Sequence, residues 1–267
     1  AIKNAESIRR LLSILKEYQG VKIILVVSAF QGVTNNLEDV AKILASDWLK
    51  AEAMFQRIHQ KHVAIARELG LGSEAFRKLD ALYKEKLRVI GLLVTDKDTA
   101  PTYLYATIVS SGEMYSAIIV SEYIQEHDVK ARQVQAVSII KTTTNNWVAS
   151  VDENTTYSEV QRFKEAFLPS DTDVVVIEGF IGSSNTDNPV VTTLGREGSD
   201  LTAATIATMI GAEEVIFFKK YAYFTHNPDT TPDAVHVPQV AFSDLEYDIR
   251  HPEGRKVILH CDTLTKT

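Results

Sequence analysis

The segment Thr192-Thr193-Leu194-Gly195-Arg196-Glu197-Gly198-Ser199-Asp200 sets a guanidinium, a hydroxyl and a carboxylate around two glycines, directly ahead of the apolar-periodic run Leu201 to Ala207. That is the composition of an anion site. The β-rich run Pro189 to Thr193 leads into a loop whose glycines reach conformations other residues avoid, and Ser199 or Asp200 is suited to cap the following helix. Such a helix start offers unpaired N–H groups and a partial positive charge to a phosphate or carboxylate. Arg196 adds a planar fork for a carboxylate, and Asp200 can orient a lysine, a backbone amide or a metal-bound water. The alternative is an ordinary strand-to-helix turn with a solvated arginine.

Two further loops belong with it, because ligands of open α/β sheets bind beyond the carboxyl ends of the strands. Ser28-Ala29-Phe30-Gln31-Gly32-Val33-Thr34-Asn35 follows the first apolar run, and its small hydroxyl residues and Gly32 let backbone approach a ligand closely. Ser110-Ser111-Gly112-Glu113 opens a helix containing Met114, Ser116 and Ile119. Glu113 lies in the first turn of that helix, where the macrodipole favours a carboxylate, so taken alone it reads as a capping contribution.

The elements that must position these loops are written in hydrophobic periodicity. Continuous apolar runs at Val21 to Ala29, Asp173 to Phe180, Glu214 to Phe218 and Lys256 to His260 predict strands covered on both faces. Helical patterns cover Ala5 to Tyr18, Asn36 to Ala45, Leu49 to Leu69, Ser73 to Leu93, Ser111 to Glu126, Tyr157 to Phe167 and Leu201 to Ile210. The alternation predicts a doubly wound α/β fold in one domain. Residues 36 to 94 break it: helix follows helix there, punctuated by Gly70-Leu71-Gly72, as an excursion packed on the sheet.

The chain has 267 residues, enough for a sizeable core, and its 45% apolar and 24% charged content is that of a soluble globular protein. A net charge of −7 argues against nucleic acid as the main partner. The single cysteine, Cys261, excludes an intrachain disulfide and a cysteine-rich zinc site, and fits a reducing cytoplasm. No apolar run approaches the ~18 residues of a membrane span. His59 and His62, three apart on a helical pattern, read as exposed helix residues rather than metal ligands.

Taken together the segments resemble the aspartate kinases of the amino-acid kinase superfamily. The resemblance rests on Ala5-Glu6-Ser7-Ile8-Arg9-Arg10, Val26-Val27-Ser28-Ala29 with Gly32-Val33-Thr34-Asn35, Ser111-Gly112-Glu113, Ile140-Lys141-Thr142, Gly179-Phe180-Ile181-Gly182, and the glycine loop with Thr202-Ala203-Ala204. These span nearly the whole chain. The Gly-Phe-Ile-Gly and Thr-Thr-Leu-Gly-Arg sequences are especially similar to the kinase halves of bifunctional aspartokinase–homoserine dehydrogenases.

The resemblance implies a three-layer α/β/α sandwich with a mainly parallel sheet. It implies transfer of the ATP γ-phosphoryl group to the side-chain carboxylate of L-aspartate, the first step of lysine, threonine and methionine synthesis. By motif, Thr34, Glu113, Arg196 and Ser199 would hold aspartate, with Arg196 on a carboxylate and Glu113 on the ammonium. Ser28 would lie beside the phosphates and Asp200 would organise the transfer site. The nucleotide would be held by Gly195, Gly198, Phe218, Lys219, Phe224 and Asn227. Mg²⁺ would accompany ATP, with no residue assigned as its ligand. A homodimer is the expected assembly, an exposed helical face in 36 to 94 suiting the contact.

The chain also departs from the family. Aspartate kinases open with a strand and a Lys-Phe-Gly-Gly-Thr-Ser loop whose lysine meets the phosphates, whereas this sequence starts inside the following helix, which reads as truncation. Their nucleotide segment runs close to Thr-or-Lys-Asp-Val-Asp-Gly-Val-Tyr-Thr-Ala-Asp-Pro-Arg; here it is Phe218-Lys219-Lys220-Tyr221-Ala222-Tyr223-Phe224-Thr225-His226-Asn227-Pro228-Asp229. Lys219 and Lys220 are candidates to replace lost cations. His260-Cys261-Asp262-Thr263 stands where the family has His-Pro-Lys-Thr, and the regulatory ACT domains that would follow are absent. The competing reading is an inactive kinase-like domain acting as a regulatory or structural ligand-binding subunit.

Overall fold

The computed structural model describes residues 2–95, 101–143, 148–219, 223–227 and 230–250. Its organising element is the run after Asp173. In chain order the helices are α1 (Ala5–Glu17), α2 (Val33–Ile43), α3 (Trp48–Glu68), α4 (Ser73–Thr95), α5 (Pro101–Val109), α6 (Ser111–Gln125), α7 (Ala136–Ile139), α8 (Glu153–Phe167), α9 (Gly198–Ile210) and α10 (Phe242–Arg250). The strands are β1 (Ile23–Val27), β2 (Ala131–Val134), β3 (Lys141–Thr142), β4 (Val174–Glu178), β5 (Ile181–Ser184) and β6 (Val191–Thr193).

All five residues of β4 are buried, because β4 is the middle strand of a parallel sheet ordered β1-β4-β2. Val174 is level with Ile23 on one side and Ala131 on the other. Successive strand side chains point to opposite faces, so Val174 and Val176 enter one core while Val175 and Ile177 enter the other. Side chains from α1, α2, α3, α4 and α6 close the first core; those from α7, α8 and α9 close the second. This is the expected α/β/α sandwich. Each fully buried Val or Ile of β4 contributes about 1.5–3 kcal/mol by leaving water. Beside it lies a small mixed sheet ordered β3-β5-β6, with β5 parallel to β3 and antiparallel to β6.

The excursion expected over 36 to 94 consists of α2, α3 and α4. Gly70, at a φ of +74°, makes the turn between α3 and α4. One face of α3 supplies Ala51, Phe55, Ile58 and Ile65 to the first core. His59 and His62 lie on that same face, so the expectation that they are exposed is wrong: both are buried. His62 stacks on Tyr115 at 4.5 Å and its Nδ1 meets the Ile58 carbonyl at 2.7 Å, and burial pulls its pKa down to about 4. His59 stacks on Tyr83 and its Nε2 sits 3.1 Å from Asp80. Helical spacing places residues on a face; the aromatic partners that bury a histidine come from α4 and α6 and are invisible along the chain.

Glu214 to Phe218, expected as a strand, forms no strand, and Ile216 and Phe218 are exposed. Apolar composition suits a strand but supplies no neighbour. The run Lys256 to His260 lies outside the described residues. In the other direction, α5 was not foreseen, since Thr, Tyr, Ile and Val dominate it. Pro101 opens α5, where a missing N–H costs nothing, and Ala106 to Val109 are buried.

Candidate functional site

The glycine loop connects β6 to α9 and is held against the end of β4. Leu194 N–H donates to the Phe180 carbonyl at 2.9 Å, and Phe180 N–H donates to Thr202 Oγ1 at 3.1 Å. Phe180, Gly195 and Glu197 all have positive φ. The two non-glycines among them hold conformations that cost energy and persist where surrounding structure enforces them. A Cβ on Gly198 would stand 2.9 Å from Leu194 Cβ and 3.1 Å from the Phe180 ring, and one on Gly179 would stand 2.5 Å from Ser199 Oγ. Both glycines let the loop close onto the strand.

Neither Ser199 nor Asp200 caps α9, contrary to the sequence reading. Glu197 occupies the cap position in a left-handed conformation, its side chain makes no capping bond, and the helix begins at Gly198. The left-handed turn starts the helix earlier than side-chain preferences indicate. Gly198 and Asp200 N–H groups donate back into the turn, leaving the Ser199 N–H without a partner among the described residues. An unpaired amide thus stands at a helix start, as an anion site requires.

The loop after β1 is built the same way. Gly32, at a φ of 79°, precedes α2 without a side-chain cap. Val33 and Asn36 N–H groups are bonded within the turn, while those of Thr34 and Asn35 have no partner among the described residues. Gly179 N–H donates to the Val27 carbonyl at 2.8 Å, so the ends of β1 and β4 and the start of α9 meet. Ser116 Oγ donates to the Ser28 carbonyl at 2.8 Å, and Ala29 N–H donates to Glu113 Oε1 at 3.1 Å. A Cβ on Gly112 would lie 2.9 Å from that of Ala29, so α6 approaches this loop only through glycine.

Glu113 is therefore more than a cap. Its carboxyl is buried, Oε2 has no hydrogen-bond partner, and burial pushes its pKa up to about 8, with the nearby charge of Glu178 acting in the same direction. Asp200, in the first turn of α9, is mostly buried and accepts from Lys219 Nζ at 2.5 Å. Of the options its loop allowed, Asp200 orients a lysine. Arg196 is exposed, close enough for its charge to act on Tyr105, whose hydroxyl is pushed up to about 12 by burial and by its bond to Glu38.

The structure thus brings Ser28, Thr34, Glu113, Gly195, Arg196, Gly198, Ser199, Asp200 and Lys219 to the carboxyl end of the β1-β4 pair. Phe218 directly precedes Lys219 and is exposed. Phe224 bridges to His236, and the Asn227 carbonyl accepts from Thr230 and Thr231, in a separate turn-rich stretch.

Two buried groups escaped the sequence reading. Glu178, at the end of β4, accepts from Gln133 Nε2 and from Ala136 N–H, each at 2.6 Å, and burial raises its pKa. Lys86 on α4 is 4% exposed, near enough to feel Glu178, and burial pulls its pKa down to about 8. The signal for Glu178 was available: a carboxylate closing an apolar strand just before Gly179.

Among the described residues no three His, Cys, Asp or Glu side chains converge to hold a metal. Of the carboxyls in the site, Asp200 is already paired with an ammonium and Glu113 is buried with its pKa raised, so these residues do not form a dedicated Mg²⁺ site. No described helix is long and apolar enough to cross a membrane.

The family model described as "Amino acid kinase family" matches residues 1–259. Chloroplastic aspartokinase 2 of Arabidopsis thaliana is 27% identical over 249 residues, covering 91% of this chain and 45% of that protein. Bifunctional aspartokinase/homoserine dehydrogenase 2 of Escherichia coli (strain K12) is 26% identical over 230 residues, 86% of this chain and 27% of that protein. The chain spans about half or less of the length of such relatives. The solved structure of E. coli aspartokinase III in complex with aspartate and ADP superposes with a TM-score of 0.82 at 24% identity, over 98% of this chain and 56% of that one. That likeness bears out the fold.

Proposed function

The chain belongs to the amino acid kinase family, and we propose that it binds L-aspartate and ATP and transfers the γ-phosphoryl group to the aspartate side chain. One observation supports this above the others: Glu113 is buried at the carboxyl end of β1 with one oxygen tied to Ala29 and the other unpartnered. A buried carboxylate left half-satisfied is costly unless a cation completes it. The α-ammonium of an amino acid is such a cation. By the resemblance, Thr34 and Ser199 would complete the same subsite, and the guanidinium of Arg196 would meet the α-carboxylate by a charge-assisted fork.

With its α-groups held, the substrate presents its side-chain carboxylate to the nucleotide. One oxygen attacks the γ-phosphorus, the bond from phosphorus to the β–γ bridging oxygen breaks, and ADP leaves with that electron pair. The nucleophile is already ionised, so no base is needed. The protein supplies in-line placement and charge stabilisation, with Ser28, Gly195, Gly198 and Lys219 beside the phosphates and Phe218, Phe224 and Asn227 toward the nucleoside. Mg²⁺ bound to ATP would add charge neutralisation. The product, aspartyl phosphate, is the entry to lysine, threonine and methionine synthesis.

The test is calorimetric titration of the full chain with L-aspartate and, as control, L-glutamate. Selective aspartate binding is expected. A folded chain that binds neither, or both alike, overturns this reading of the site.

A further inference from the structure

We propose that Lys219 is the cation that meets the transferring phosphoryl group, and that Asp200 is the positioning residue that aims it. This rests on the kinase reading and goes beyond it, because the first acidic position of the aspartate kinase nucleotide segment is a lysine here. The pair is sheltered but accessible: the Lys219 side chain is 23% exposed and that of Asp200 11%. An ammonium has three donors in rotatable array. One is given to Asp200 at 2.5 Å, which leaves two for oxygens arriving at the adjacent Ser199 amide.

The sequence distance between the two residues explains why the contact has to be built. Lys219 ends the segment 214–219, which lies outside the described helices and strands. The ion pair holds its side chain. Asp200 is fixed in turn by the first turn of α9, whose start is clamped to Gly179 and Phe180. Recruiting Asp200 as a metal ligand would first separate it from the half-buried Lys219 ammonium and leave a mostly buried carboxylate without its partner. Keeping the pair and adding phosphate oxygens to the free donors costs no such separation.

The experiment compares binding of AMP, ADP and a non-hydrolysable ATP analogue by the full chain and by Lys219→Met, Lys219→Arg and Asp200→Asn, with L-aspartate as an independent probe of the neighbouring subsite. Loss of a charge-assisted contact corresponds to about 10- to 150-fold in affinity. Lys219→Met is expected to lose that much for the ATP analogue, little for AMP, and to keep its aspartate affinity within about twofold. Lys219→Arg should retain most of the binding. Asp200→Asn should weaken the ATP analogue less than Lys219→Met, and add nothing when combined with it.

Equal losses for AMP and the ATP analogue, or none for either, would reduce Lys219 to a neutraliser of Asp200 and overturn the inference. A parent chain that binds aspartate but no nucleotide overturns it as well, leaving the aspartate subsite standing. Failure of the folded parent to bind either probe overturns the kinase reading beneath it.

Discussion

Replacing Glu113 with Gln separates the carboxylate's charge from its shape. The amide oxygen still accepts from Ala29 N–H, but the proton equilibrium disappears. Glu113 has a folded pKa of about 8 against an ordinary value of 4.5. Its folded pKa is raised, so the parent's stability is full below about 4.5 and declines as pH climbs to about 8, because the folded chain holds a proton that the unfolded chain releases. At pH 7 this costs the parent about 3 kcal/mol relative to a neutral side chain. Glu113→Gln is therefore expected to be more stable than the parent by about that amount at pH 7, and equal to it near pH 4. Denaturant midpoints at the two pH values measure the difference.

The same equilibrium governs ligand binding. With a pKa of about 8, about one molecule in a hundred has Glu113 ionised at pH 6, about one in ten at pH 7 and about half at pH 8. If the ionised form receives the substrate ammonium, the parent's Kd for L-aspartate falls about tenfold from pH 6 to 7 and about fivefold from 7 to 8, then levels off. Close to one proton leaves per aspartate bound at pH 7, which calorimetry in buffers of different ionisation enthalpy detects. Affinity that is flat across pH 6 to 8 with no proton released would falsify the assignment of Glu113 to the ammonium, even if the stability difference appeared.

Other perturbations separate the remaining parts of the site. Arg196→Ala should weaken L-aspartate binding by about 1.5–3 kcal/mol, the range for a charged hydrogen bond, and unchanged affinity would remove Arg196 from the site. Gly179→Ala places a Cβ 2.5 Å from Ser199 Cβ and Oγ, so the start of α9 must shift. A loss of about 1–3 kcal/mol in stability is expected, together with weaker aspartate binding; a variant unchanged in both would show that the contact relaxes freely. His62 has its folded pKa depressed to about 4 from 6.5, so its contribution is full above 6.5 and is lost as pH falls toward 4, about 3 kcal/mol in all. His62→Phe should flatten that part of the stability profile, and an unchanged acid slope would assign it elsewhere.

What could be read along the chain was what periodicity and local chemistry encode. The runs that became β1 and β4 were legible because both are continuous apolar stretches, although only β4 is buried throughout and β1, at the sheet edge, is partly exposed. β2, Ala131–Val134, was not legible, since a half-buried strand reading Ala-Arg-Gln-Val resembles a loop. The glycine loop and the Glu113 turn were visible as clusters of unusual residue types, and the resemblance joined them. What stayed hidden is contact across the fold: the left-handed Glu197 that starts α9 early, the glycine at 179 whose bare face admits Ser199, and the aromatic stack that buries His62. Lys219 was expected at the nucleotide, as a candidate replacement for a lost cation, but without a partner named for it. Its partner, nineteen residues away, is set by tertiary geometry alone.

The charge arrangement has a consequence for the order of events. Three carboxylates lie at or beneath the site, and each is buried or already partnered. Glu113 is neutral below pH 8, Asp200 is matched by Lys219, and Glu178 is enclosed by Gln133 and the Ala136 amide. What faces an arriving nucleotide is Arg196, the remaining donors of Lys219 and the unpaired amides at the starts of α2 and α9. On the kinase reading, a nucleotide polyanion would therefore meet cations and amide donors. Glu113 would acquire its charge only when an ammonium arrived to share it, so aspartate would add its positive and negative groups together and leave the field at the phosphates almost unchanged. A permanently ionised Glu113 would instead repel the nucleotide in every molecule awaiting substrate. On that reading, burying it near Glu178, with its charge conditional on the ligand, would let one site hold an amino acid by its ammonium and a triphosphate by its oxygens.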